Sequence, residues 1–445
     1  MKLHTRRRIF YVFLLLFVVI GLVVVLYAEG WRLNPTTLDA EKAGGIYVRS
    51  YPDNASITLD GKPIHNQSAF LSRGTFISGL FPKTYTIQLS AAGYDKWSEQ
   101  APVIQSLVSE MKYAVLVPQA AINVATSEDV SDYFEIDKDI VAQNTSGTIL
   151  WQGAPIGKGT LVSHSTNLKT AIIRSINSQN VTTYWLYDFT NATTTNLDPI
   201  IQQSEIAITP KLNIFIDPYD DTRILVQTPT RIAQIDSDTD QTMPVEVAPA
   251  GELIGASVAI SPSVMAFPLF SSAKNISQVI VYDKFSGNII DSSLTVAGPI
   301  KQLAWIKDNQ LGVLEDNNSL YLYNVSGEQL TKLADDVKQF YPTTDGAAVA
   351  ALEYNSLEVF SFTTQDYYRF PLPQVSDVQG LIWYKDENHL FVIYPGHVSF
   401  LDFTDITLKN FTTVSDGTDP WYDPQENSLY LIDPGQQLLR FDFPQ

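Results

Sequence analysis

At 445 residues the chain has room for two or three domains, and with 45% apolar residues it can bury a sizeable core. It has no cysteine, which excludes disulfides, thiolate zinc sites, cysteine nucleophiles and a lipid-modified N-terminal cysteine; in a chain exported from the cytoplasm this also points to a prokaryotic source. The formal charge is −19, and the cations at Lys2, Arg6, Arg7 and Arg8 all precede the rest of the chain, so the body argues against nucleic acid or an anionic membrane surface as partners and fits solubility.

Residues 1–8 form a basic tip, and residues 9–28 follow without one charge. At about 1.5 Å rise per residue, a helix of that length matches a hydrocarbon core about 30 Å thick. Tyr11, Tyr27 and Trp31 stand at its two ends, where amphipathic rings favour the headgroups. The Arg6, Arg7, Arg8 cluster predicts a cytoplasmic N-terminus and an extracytoplasmic body, with the lipid bilayer contacted through 9–28. A cleaved signal peptide is the rival reading. Its apolar core is usually about 7–15 residues and ends in a small-x-small site, whereas this run ends Leu26-Tyr27-Ala28.

Residues 29–44 read as a polar linker. Alternation at 46–49 and 56–59 predicts two strands joined by a turn at Pro52-Asp53-Asn54, with Asn54 able to take positive φ. Asp60-Gly61 predicts a hairpin, 84–89 another strand, and 111–117 a last one. Pro52, Ala55, Asp60, Gly61, Gly93, Tyr94 and Trp97, in this order, resemble the PEGA domain over about 45–118. The chain departs from that pattern at Asp53 and Asn54, at Lys83-Thr84 where the family prefers Gly, and in the 65–78 loop. The resemblance implies a small, non-catalytic β-sandwich of prokaryotic surface proteins. Turn geometry alone accounts for these prolines and glycines.

Residues 119–445 repeat weakly. One strand recurs as 183–188, 231–236, 278–283, 319–324, 356–361, 397–402 and 437–442, with a fainter copy at 148–151. A second marker, Trp305, Tyr341, Trp383 and Trp421, precedes turns carrying Asp308, Asp345, Asp386 and Asp423. A four-stranded unit of about 40 residues is the period of a propeller blade, and the hairpins resemble TolB-type and WD-like propellers. The expected fold is all-β: an N-terminal transmembrane helix, a PEGA-like sandwich, and a seven- or eight-bladed β-propeller whose last blade is completed by a strand from about 120–136. An array of β-sandwiches is the alternative. The repeating aromatics are read as core or inter-blade packing, with a sugar-binding platform as the alternative.

Chemistry is faint. The five histidines lack metal-ligand spacing, and no nucleophile elbow or phosphate loop occurs. Asp236, Asp238 and Asp240 alternate as calcium ligands do, but Gln241 stands where a calcium loop needs Gly, so a solvated acidic turn competes with calcium. Otherwise no cofactor is expected. The leading expectation is a membrane-anchored, non-catalytic surface protein whose propeller binds an extracellular protein or glycan. A polysaccharide-processing enzyme and a structural envelope protein of a surface layer are the alternatives.

Overall fold

The structure, a computed structural model, describes residues 3–34, 39–68, 73–124, 129–136, 139–165, 169–307, 309–403 and 411–445. The helix Leu3–Ala28 leads; its stretch Ile9–Ala28 is long and apolar enough to cross a membrane, and none of it is buried against the body. The side chains of Arg6, Arg7 and Arg8 and the residue Asp308 lie outside the described part. The segment expected to be a linker carries a short hairpin, with Trp31–Leu33 paired to Ala40–Lys42.

Between 44 and 115 two sheets face each other. One orders Thr75–Leu80, Gly44–Tyr51 and Val108–Val115; the other orders Lys62–Ile64, Ser56–Leu59, Thr84–Ser90 and Trp97–Pro102. Period-two alternation buries Ile46, Val48, Ile57, Ile87, Leu89 and Trp97 in one core. Asn54 does not take the left-handed conformation; Asp60 and Gly61 do, at φ 48° and 75°. The Asp60 carboxylate accepts from the Thr86 amide (2.9 Å) and pairs with Lys83 (2.6 Å), so the Lys83-Thr84 departure supplies a clasp for the Asp60-Gly61 turn.

Among the described residues eight sheets follow: seven of successive strands, at 130–158, 160–196, 213–247, 252–297, 300–334, 337–370 and 380–416, and an eighth at 418–442; in the fourth the two outer strands are each split. These are blades 1 to 8 of a β-propeller. First strands of neighbouring blades lie against one another near the axis. Every recurring strand found in the sequence is the third strand of its blade, from Thr148–Trp151 to Leu438–Asp442. Blade 8 has three strands of its own; Ile122–Asn123 pairs with Arg440 and Leu439 as its fourth and closes the ring. Second strands such as Ala348–Glu353 and Ser428–Ile432 are buried throughout, because blades cover both their faces. The fourth strand of blade 2, Thr193–Asn196, is polar and exposed, which protects that outer edge from pairing with other chains.

The small sandwich is not a free bead. Across 115–117 the side chains alternate: Leu116 joins the sandwich core, while Val115 and Val117 enter the cluster of Tyr384, Phe391, Tyr422 and Phe443 between blades 7 and 8. The connector is pinned on its sandwich side by Asp95 N to Val117 O (2.8 Å) and Gln119 N to Gly93 O (2.9 Å).

Candidate functional site

Among the described residues no strand ladder runs from one blade to the next, and besides single main-chain bonds such as Ile254 N to Pro229 O (2.7 Å) side chains bridge the seams. Ser163 of blade 2 accepts the Ile216 amide of blade 3 (3.0 Å). Ser257 accepts the Leu303 amide of blade 5 (2.8 Å). Gln302 clasps Phe340 of blade 6, its amide nitrogen donating to the carbonyl (2.7 Å) and its oxygen accepting the amide (3.0 Å). The repeating indoles do similar work: Trp305 donates to the Ala259 carbonyl (3.2 Å) and Trp383 to the Tyr341 carbonyl (2.9 Å), each reaching into the preceding blade. Trp421 stacks at a tilt on Tyr430 within blade 8. Gly312 is what lets Phe340 in, since a Cβ there would clash with the ring.

Where the first strands of blades 5 to 8 run out into their hairpin turns, they leave a groove of about 720 Å³. Tyr341 and Trp383 form its half-buried walls, Tyr384 and Tyr422 its buried floor, and Thr344, Asp345, Lys385 and Pro424 its exposed rim. Two carboxyls meet there. Asp345 accepts from the Ala347 amide (2.8 Å) and the Thr343 hydroxyl (2.9 Å). Burial alone would raise its pKa, but these hydrogen bonds and one with Glu387 hold it below the ordinary range. Glu387 is pushed up to about 7, first by burial, then by its hydrogen bond with Asp345 and the charges of Asp345 and Asp386. As the pH falls through about 7, the first proton the pair takes up goes to Glu387 and leaves Asp345 ionised. Burial lowers the Lys385 ammonium and raises the Tyr384 and Tyr422 phenols.

Behind the groove, His389 is fully buried, stacked on Phe400, with Nδ1 2.8 Å from Asp386 and Nε2 3.6 Å from Asp402. Burial favours its neutral form, but the two carboxylates win and raise it to about 10. It is thus an imidazolium clamped inside blade 7.

The calcium candidates do not converge. Asp236 turns its carboxylate back on the amides of Asp238 (3.1 Å) and Thr239 (2.9 Å), and Asp240 takes φ 54° in the same turn. Among the described residues no three His, Asp or Glu side chains form a metal-binding group. Pro52, Ala55, Gly93, Tyr94 and Trp97 lie in the sandwich and do not line the groove; Ala55 and Trp97 are in the sandwich core. The acid pair itself escaped sequence reading, although a signal exists: Asp345 and Glu387 each stand four residues after the repeating aromatic of adjacent blades.

No protein-family model matches the chain, and no curated protein does. Among solved structures it is similar to an oligogalacturonate lyase in complex with manganese, at 10% identity and TM-score 0.49, over 71% of this chain and 97% of that one. It is similar to an oligogalacturonate lyase from Vibrio parahaemolyticus at 10% identity and TM-score 0.47, over 72% and 99%, and to a β-propeller domain from Myceliophteria thermophila at 13% identity and TM-score 0.41, over 64% and 99%. Identities this low leave the function to be read from the residues.

Proposed function

We propose that this chain is a single-pass membrane protein of the cell surface, with an extracytoplasmic body in which a PEGA-like sandwich carries a propeller that binds a protein or glycan without transforming it. The anchor reading is supported by the unburied apolar helix Ile9–Ala28. The observation that carries the binding reading is the groove of blades 5 to 8, where half-buried rings of Tyr341 and Trp383 line a cleft rimmed by Asp345 and Glu387. Aromatic walls with a few convergent polar groups suit sugar faces and peptide side chains.

A glycan and cell-envelope binding array with the full chain in nanodiscs tests this. A hit that disappears in Thr344→Arg, an exposed rim position whose long cation would fill the cleft, supports the reading; a hit unaffected by Thr344→Arg places the binding site elsewhere. A second reading, a polysaccharide-processing enzyme, is favoured by the Asp345–Glu387 pair, because one ionised and one protonated carboxyl are the equipment of general acid–base chemistry. Turnover of a bound polymer, lost in Glu387→Gln, would overturn the non-catalytic reading.

A further inference from the structure

Loop tips are ordinarily polar, because they are wet. In the turn Ile104-Gln105-Ser106-Leu107 of the sandwich the tip, Gln105 and Ser106, obeys this, but the residues that open and close it do not. Ile104 and Leu107 are 57% and 56% exposed, and Val108 beside them is 46% exposed. The turn is built rather than frayed. Leu107 N bonds Ile104 O (3.2 Å), Ser106 takes φ 61°, and the base is held by Val103 N to Lys83 O (2.9 Å) and Gly45 N to Leu107 O (3.0 Å). Val103 itself is buried in the sandwich core.

Its position is the informative part. Ser106 N donates to Ala43 O (3.1 Å), and Ala43 N donates to Gly30 O (2.9 Å). Gly30 lies two residues beyond the apolar helix, so two hydrogen bonds separate the turn from the helix end. Gly44 permits this approach: a Cβ there would strike the carbonyls of Ile104 and Leu107. Around the same junction Arg32 covers the Tyr27 ring at 3.5 Å and bonds the Tyr27 carbonyl (2.7 Å), and Lys42 stands over Trp31 at 5.6 Å. Cations and amphipathic rings at a helix end are the residues of a headgroup layer. An exposed apolar pair beside them, flanking a two-residue polar tip, has a matching neighbour at the boundary between headgroups and acyl chains of the same leaflet.

We infer that the 104–108 turn is a second membrane contact: Ile104 and Leu107 dip into the leaflet from which the helix emerges and fix the sandwich, and with it the propeller, at a set orientation over the bilayer. The inference rests on the helix being a membrane anchor. The helix gives attachment; the turn gives attitude, because one tether alone leaves the body free to swivel.

The chain has no cysteine, so single cysteines can be read without background. The full chain is reconstituted in vesicles of phosphatidylcholine and phosphatidylglycerol, with a bimane label on Ile104→Cys, Leu107→Cys, Phe17→Cys within the helix, or Phe285→Cys, a 65% exposed position of blade 4. Lipids carrying a quencher near the headgroup are expected to dim the labels at 104 and 107 at least about twofold more than at 285, while lipids quenching at the bilayer centre dim only 17. Labels at 104 and 107 that behave as at 285, with 17 still quenched, overturn the inference and leave the anchor standing. Labels at 104 and 107 shielded from aqueous iodide yet untouched by lipid quenchers overturn it in favour of a protein cover. An unquenched label at 17 removes the anchor reading and the inference together.

Discussion

Blades 3 and 4 are joined differently from blades 6 and 7. At the earlier seam Lys284 meets Asp217 at 2.6 Å with both side chains excluded from solvent, and Arg223 caps the Lys284 carbonyl (3.0 Å). At the later seam the Trp383 indole donates to the Tyr341 carbonyl amid apolar packing with Leu381, Phe370 and Phe403. Both seams close the same kind of gap. A buried ion pair is all-or-none, because either charge left alone in the interior costs more than the pair contributes. An indole–carbonyl bond is a modest addition to packing that already holds. Two regions of one repeat thus differ in how they fail.

The comparison can be broken most directly at Lys284. Lys284→Met is expected to lower unfolding free energy by about 3–5 kcal/mol, with Asp217→Asn added to it recovering most of that loss, as read by denaturant titration. A loss smaller than that of any indole variant would refute the contrast. His389 brings an ion cluster into a late blade and sharpens it. His389→Gln should cost about 3 kcal/mol at pH 6 by leaving Asp386 and Asp402 uncompensated. Because its folded value is raised to about 10 from 6.5, the folded chain keeps a proton that the unfolded chain releases. That stabilisation is full below about pH 6.5 and is lost as pH rises through about 10. The melting temperature should therefore fall across this window in the wild-type chain, and the part due to His389 should vanish in the variant. Trp383→Phe, which keeps the packing and removes one donor, is expected to cost about 1 kcal/mol.

Glu387→Gln gives the smallest change, and of opposite sign. Its folded value is raised from 4.5 to about 7, so ionising it in place costs stability above pH 7 and nothing below its ordinary range. With part of the group wet, the cost is about 1 kcal/mol or less. The variant should melt about 1–2 °C higher at pH 8 and unchanged at pH 4.5, by calorimetry.

The same contrast explains what was legible in the sequence. Third strands announced themselves because each carries an aromatic, an acid or both in its last two positions, at a recurring spacing. The late blades added Trp305, Tyr341, Trp383 and Trp421, and of these the indoles of Trp305 and Trp383 find their partners one blade back. The beat is looser early, 47 to 48 residues against 37 to 41 later, and the surplus has physical sources. The helix Asp198–Gln203, burying Ile200 and Ile201, is inserted between blades 2 and 3, and blade 4 splits its first strand into Glu252–Ile254 and Ala259–Ile260. Lys284 gave no sign of its role: it is a lone lysine after a strand, with its partner 67 residues away. Asp345 and Glu387 were readable only through the alignment of one blade on the next, since 42 residues of chain separate two side chains that share a hydrogen bond. The hairpin at 31–42 was hidden because its strands are three residues each, too short for alternation to register.

The clasp of blade 8 has a consequence in time. Asn123 and Gln437, side by side in the closed ring and bonded at 3.1 Å, are 314 positions apart in the chain. At about 5–20 residues per second a ribosome needs roughly 15–60 s to make that stretch. Throughout the interval Ile122 and Asn123 have no strand to pair with, and whatever blades have been made form an arc with two open ends. The ring is therefore a structure that the cell must keep apart from its neighbours for about half a minute before it can shut.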